Sequence, residues 1–432
     1  MKGLSSSFLS TLLIQATNIG TGILAARLLH PQGRGELAVI LVWPSLLAAL
    51  SILGLNDAVA YYVAQPGAST KNIYATSVWM AAAIGTLLIG VGLFLIPHLI
   101  STQRPIVIRL SLLSLLLLIP LNSWTMINGA IFLGKQRLTE YNILRTLVNV
   151  GYLAGIAICY VIRTASLAGF TLSYLGGIAL ILALGLLWLI KRQWFAFTPD
   201  FRLARPLLSY GVKVHVGSLA SLLNWRFDQM VMSVFIAPKM LGLYVVAVST
   251  SGGVALLTTA VSIVTFSKLA NTLEEPLRRE AFARFIRLAA ALSVCSAVFF
   301  VAAAPLIIRF FFGIAFMEAV RATQILSIAT IFLGCNWVMM AGFRAYGLPF
   351  VASQSELMSL AATGLGLWIL LPRYGILGAA WASLLAYLVS FIYYLFILKS
   401  RLGHSPFRVL IPNREDWRRG LSMIQDFSTR FS

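Results

Sequence analysis

The sequence predicts an all-α polytopic membrane protein of twelve transmembrane helices arranged as two six-helix halves. Three observations carry this prediction: composition, the spacing of apolar runs, and an internal repeat. Of 432 residues, 59% are hydrophobic and only 11% are charged, whereas a soluble globular chain carries about 25% charged residues. Apolar runs of roughly 20 residues recur throughout, each long enough to cross about 30 Å of hydrocarbon. Backbone polar groups in lipid must be satisfied within their own segment, so these runs are helices. A barrel would show short alternating segments instead.

Twelve spans are predicted: 8–29, 37–64, 73–97, 106–133, 143–162, 167–190, 206–236, 240–266, 283–308, 322–343, 350–371 and 376–398. Pro44, Pro120 and Pro305 fall inside spans and mark kinks, because neighbouring helices can satisfy the freed carbonyls. The N-terminus carries one Lys and then a long apolar run, without a short apolar core and small-residue cleavage site, so it reads as a retained helix. The longer cytoplasmic links are 191–205 and 267–282. The predicted organisation is a six-helix lobe over 1–195, a second over 196–398 and a basic amphipathic tail over 399–432.

The net charge is +20. The cations lie mostly between apolar runs, the pattern of topology and headgroup contact and not of a nucleic-acid-binding face. With the N-terminus inside, 23 Lys and Arg fall on the cytoplasmic side and nine on the other. Both termini are therefore expected in the cytoplasm. Arg226 is left over within a span.

The repeat shows in punctuation. ARLLHPQGRGELAVI at Ala25–Val39 is echoed by VFIAPKMLGLYVVAV at Val234–Val248. Aligning Pro31 with Pro238 puts Gly35 on Gly242. A second pair, IRTASLAGFTLS at Ile162–Ser173 and PRYGILGAAWAS at Pro372–Ser383, puts Arg163 on Arg373 and Ser173 on Ser383. Six helices per repeat is an even number, so both halves keep one orientation. That is a parallel repeat about the membrane normal, as in transporters with a substrate path between halves. Pro31 and the glycines are expected to form a short hairpin turn. Arg27 and Arg34 have no counterparts in the echo, which has Val234 and Leu241 in their places.

ARLLHPQGRGELA resembles the N-terminal signature of oligosaccharide flippases, the polysaccharide exporters of the multidrug/oligosaccharidyl-lipid/polysaccharide superfamily. Three further stretches are similar in order: FLGKQRLTEYN at Phe132–Asn142, NWRFDQMVMSVFIAPKMLGLYVVA at Asn224–Ala247, and LLPRYGILGAAWAS at Leu370–Ser383. The resemblance implies two six-helix lobes in a V, related by a pseudo-twofold, opening alternately to either side. It implies transport of an undecaprenyl-pyrophosphate-linked oligosaccharide across the bacterial inner membrane: an O-antigen, capsule or exopolysaccharide repeat unit. The partners implied are that lipid-linked glycan and the polysaccharide polymerase and export machinery. The chain departs from the superfamily's lipid II flippases, which usually carry two extra helices.

Charges within spans are costly and mark function by default. The candidate substrate-binding residues are Arg226, Asp228, Asn224, Arg27, Asp57 and Arg344. On one continuous helix Arg226 and Asp228 point apart, Asn224 shares a face with Asp228, and Arg226 shares one with Gln229. Arg226 then needs a partner on another helix or an anionic ligand such as pyrophosphate, which a guanidinium binds in bidentate fashion. An interhelical Arg–Asp pair is the competing reading. Asp57 is either a lobe-to-lobe ion-pair or proton-relay group, or a polar cap near the end of its span. Arg27 either complements a helix C-terminus or attracts phosphate at an entrance, and Arg344 carries the same two readings. Trp43, Trp124, Trp225, Trp337 and Trp381 could stack on sugar rings or pack in the core.

No catalytic constellation, metal-ligand spacing or GxxxxGK[ST] phosphate loop is present. No cofactor is expected, and the energy source is a proton or sodium gradient or the substrate gradient itself. A drug or cation exporter is the alternative in the same fold and should favour acidic residues over Arg226. A membrane glycosyltransferase or polymerase would need catalytic carboxylates or a large external loop. In the tail, Trp417, Leu421, Ile424, Phe427 and Phe431 recur at helical spacing among arginines, which predicts a helix on an anionic inner leaflet, with anionic lipids as partners.

Overall fold

The computed structural model describes residues 2–224, 226–403 and 409, with side chains at 2–9 and 216–218 left aside. The tail stripe from Trp417 to Phe431, and Trp225, lie outside the described residues. Among the described residues the regular structure is helical throughout. The helices are α1 (Lys2–Ser51), α2 (Leu55–Val63), α3 (Thr70–Leu99), α4 (Pro105–Gly134), α5 (Leu138–Val161), α6 (Leu167–Lys191), α7 (Ala204–Asn224), α8 (Phe227–Phe235), α9 (Pro238–Ser251), α10 (Leu256–Ala270), α11 (Glu275–Ile307), α12 (Val320–Ala345), α13 (Pro349–Tyr374) and α14 (Ile376–Leu402).

Ten helical segments among the described residues are long and apolar enough to span a membrane. The difference from twelve has two physical sources. The first two predicted spans run together as Ser10–Val63, because only one residue of α1, His30 (φ 56°, ψ 177°), leaves helical geometry. The break falls on the residue before Pro31, a position where proline disfavours the α region, although Trp43 before Pro44 stays helical. The seventh predicted span is divided into α7 and α8, and α7 carries Arg205, Lys213 and His215.

Two other expectations shift. Gly33 and Gly35 lie inside α1 and are not turn residues. The link over 267–282 is mostly helical, since α10 ends at Ala270 and α11 begins at Glu275. Pro44, Pro120 and Pro305 sit inside helices as expected. A π-helical turn follows Pro305 at Ile308–Phe312, a common response to a disturbed hydrogen-bond ladder.

The chain forms two compact units, one of Met1–Val246 with Phe311–Phe316 and one of Ala247–Phe310 with Met317–Ser432. In the first, buried Leu55, Ile127, Ile131, Phe132 and Leu189 form the main core. The link after α6 is pinned to α3: Trp79 Nε1 donates to the Phe197 carbonyl at 2.8 Å, and Asp200 N donates to Thr76 Oγ1 at 3.0 Å. In the second unit, Phe282, Phe343, Met339 and Tyr394 anchor the core.

Both units use close glycine packing. In the first unit a Cβ on Gly155 of α5 would sit 2.6 Å from Ser173 Cβ of α6. In the second, a Cβ on Gly366 of α13 would sit 2.8 Å from Ala382 Cβ of α14. α5 meets α6, and α13 meets α14, over a glycine facing a small residue, as helices do in lipid.

Candidate functional site

The site begins with the break between α7 and α8. Arg226 occupies the N-cap of α8 with φ −133° and ψ 5°, so the chain from Asn224 to Asp228 is not one helix. The four-residue spacing that would align Asn224 with Asp228 therefore does not apply. The spacing from Arg226 to Gln229 does hold across the first turn of α8: Arg226 Nη1 donates to Gln229 Oε1 at 2.9 Å.

Asp228, two residues on, is held by α9. Tyr244 Oη donates to Asp228 Oδ2 at 2.6 Å, and Gln229 N donates to Asp228 Oδ1 at 2.7 Å. Tyr244 is fully buried. Charges of Arg226 and Asp228 also act on one another, so the group is one α8–α9 polar cluster.

Arg34 of α1 joins this cluster. Its charge is within Coulombic reach of Arg226 and of Tyr152 on α5. Its Nε is buried without a hydrogen-bond partner. Buried donors are nearly always bonded to protein, water or ligand, so this guanidinium is a ready anion donor. Tyr152 and Tyr174 of α6 meet edge to face with centroids 5.2 Å apart, and Tyr174 is also within reach of the Arg226 charge. Two guanidiniums, two further phenols and a tyrosine-bound carboxylate thus share one region of the first unit. It suits a ligand with clustered negative charge and hydroxyls.

Sequence marked Arg34, with Arg27, as what the first half adds, facing a phosphate or only the interface, but did not place it among the binding residues; the three tyrosines were not singled out. The available signal was Arg34's lack of a counterpart at Leu241 in the repeat. The tyrosines had none, because α5 and α6 are brought to α8 only by tertiary packing.

The remaining candidates are spread out. Asn224 ends α7, partly buried. Arg27 is exposed, and its Nε donates to the Phe311 carbonyl at 2.7 Å, at the π-helical turn. Asp57 is exposed in the first turn of α2, where Asn56 Nδ2 donates to its Oδ2 at 3.2 Å. Arg344 is exposed in the last turn of α12. Trp43 Nε1 donates to Ser233 Oγ at 3.0 Å. Trp124 and Trp337 are partly buried and Trp381 is exposed. Among the described residues no group of His, Cys, Asp or Glu is placed to hold a metal ion.

Residues 23–321 match the model of a family described as polysaccharide biosynthesis protein, more than half of the chain. The chain belongs to that family. The chain is also 24% identical, over 211 residues, to an uncharacterized membrane protein of Methanocaldococcus jannaschii. That match covers 47% of this chain and 41% of the relative, so it spans less than half of the relative's length. The fold is similar to the lipid II flippase MurJ in an inward closed conformation, with TM-score 0.77, 16% identity, and 91% of this chain and 87% of that one covered. It is also similar to an inward-facing multidrug resistance transporter of the MATE family, with TM-score 0.74, 14% identity, and 90% and 94% covered. The chain is thus a multi-pass membrane protein with the fold seen in the lipid II flippase and the MATE transporter.

Proposed function

We propose that the protein is a transporter that flips an undecaprenyl-pyrophosphate-linked oligosaccharide, an O-antigen, capsule or exopolysaccharide repeat unit, across the bacterial inner membrane. The observation that carries this reading is the pairing of Arg34 with Arg226 beside Tyr152 and Tyr174. Arg34 is half-buried and Arg226 exposed, and their charges act on one another; like charges within reach of each other favour an anion between them. A pyrophosphate carries the charge to do so and accepts the forked geometry of a guanidinium. Phenol hydroxyls can bond the first sugar, and their ring faces can lie against it.

In this reading two six-helix lobes, 1–195 and 196–398, rock between access to the cytoplasm and to the outside, both termini being cytoplasmic. The lipid tail stays in the bilayer while the head group crosses. Energy comes from an ion or substrate gradient. The polysaccharide polymerase and export machinery receive the product. A cation exporter is the weaker reading, because Asp228 is already engaged by Tyr244 and Gln229 and the cluster holds two arginines.

The test is a deletion strain. Undecaprenyl-linked repeat units should accumulate on the cytoplasmic leaflet, and the wild-type gene should clear them. No accumulation contradicts the flippase reading.

A further inference from the structure

The repeated Pro-x-x-x-Gly phrase has a structural use that transport of a glycan does not by itself require. The two copies touch each other, and the contact is reciprocal. A Cβ on Gly35 would overlap the carbonyl oxygen of Pro238 and lie 2.9 Å from Gly242 N. A Cβ on Gly242 would overlap the carbonyl oxygen of Pro31 and lie 2.9 Å from Gly35 N. Position i meets position j and j meets i, the signature of a twofold self-complementary contact. Backbone lies on backbone there, with no room for a side chain on either strand of the crossing.

Each copy is also preceded by a break in the helix. His30 leaves helical geometry before Pro31, and Ile236 is extended (φ −128°, ψ 158°) before Pro238. Proline then starts the next helical segment with φ already set. Each Gly thus rides on a short helical turn with a bend at its base, and hinge motion is absorbed at such residues.

Side-chain bonds lie beside the crossing. Trp43 of α1 bonds Ser233 of α8, and Gln103 Nε2 reaches the Ser233 carbonyl at 3.5 Å. A smooth glycine-on-glycine surface can part and rejoin without changing rotamers, whereas interlocked side chains cannot. Arg34 adjoins Gly35, so parting the crossing also moves Arg34 away from Arg226.

We propose that the helical segments Pro31–Gly35 and Pro238–Gly242 form a gate, closed by backbone contact in this structure, that opens by bending at His30 and Ile236. The inference rests on the transport reading, and its readout is a distance, which does not depend on the substrate. Spin labels are placed at Gln32→Cys and Lys239→Cys, beside the two prolines, in a chain with Cys159, Cys295 and Cys335 changed to Ala. Distances are measured by pulsed electron spin resonance in proteoliposomes, with and without undecaprenyl pyrophosphate.

The expected result is two distances, a short one and a longer one. Gly35→Ala and Gly242→Ala should each raise the longer population at least threefold. Gly90→Ala, at a helical glycine with nothing within 4 Å of the added methyl, should leave the distribution alone. A single short distance in the parent protein under both conditions overturns the gate, as do glycine variants with the parent distribution. If the glycine variants do not fold, the parent distribution alone decides. A fixed distance with flipping intact overturns only the gate. Two distances without flipping uphold the gate and overturn the flippase reading.

Discussion

Tyr244 donates its hydroxyl hydrogen to Asp228 at 2.6 Å, joining α9 to α8 in the interior of the first unit. The bond fixes the carboxylate that a cation exporter would need to leave open, and it sets the position of α8 from which Arg226 projects. Tyr244→Phe keeps the ring and removes the donor. Loss of a buried hydrogen bond to a charged acceptor costs about 1.5–3 kcal/mol. The melting temperature in detergent should fall. Tyr244→Phe combined with Asp228→Asn should cost less than the sum of the two single changes, since they remove one shared interaction.

Arg34 and Arg226 should act in transport with the same sign. Removing one guanidinium that bonds an anion loses about 1.5–3 kcal/mol, or roughly 10- to 150-fold in affinity. Arg226→Ala should abolish export and Arg226→Lys should retain some, because Lys keeps the charge and loses the fork. Arg34→Ala should fall with Arg226→Ala. Wild-type export in both alanine variants would remove the two residues from the site. Polysaccharide surface display in a complemented deletion strain provides the measurement.

Gly155 and Gly366 test the close helix packing. A methyl added at either would meet a side-chain carbon at 2.6 or 2.8 Å. Overpacking of this kind costs about 1–3 kcal/mol. Gly155→Ala and Gly366→Ala should therefore both destabilise. Gly90→Ala should be neutral or stabilising, by up to about 1 kcal/mol of helix propensity. Thermal unfolding of the three variants, side by side, checks the pattern.

Tyr346, just past the end of α12, offers a contrast. The Arg278 guanidinium lies 3.9 Å from its ring centre, and the Tyr346 hydroxyl is buried without a hydrogen-bond partner. Burial pushes the phenol up to about 12, so the ring is neutral across the range in which cells live. Tyr346→Phe should hold stability or raise it, because it keeps the cation–π contact and removes an unsatisfied group. Tyr346→Ala should lose about 0.5–2 kcal/mol. Neither effect should change between pH 6 and 9, which unfolding at the two pH values measures.

Much of the fold was legible because lipid imposes it. Span length and apolarity located the helices, and the spaced Pro and Gly revealed the repeat. The use of those residues was not legible. Pro31, Gly35, Pro238 and Gly242 read as turn residues, yet Gly35 and Gly242 are helical and serve close approach. Close approach depends on a partner over 200 residues away, and local pattern carries no trace of it. The break after Asn224 was hidden because LLN and FDQMVM continue one apolar pattern across it. Arg226 was found by its cost in a span. Arg34 was masked by its place in a predicted hairpin, although the structure buries its Nε.

The central claim is that Arg34 and Arg226 carry a lipid-linked pyrophosphate across the bilayer. Its most direct measurement uses proteoliposomes holding undecaprenyl-pyrophosphate oligosaccharide and a glycan-digesting enzyme outside. Wild-type protein should expose the inner-leaflet half of the substrate to digestion, while Arg34→Ala and Arg226→Ala protein should leave it protected. Protection in wild-type vesicles equal to that in protein-free ones, or full digestion with both arginine variants, would contradict it.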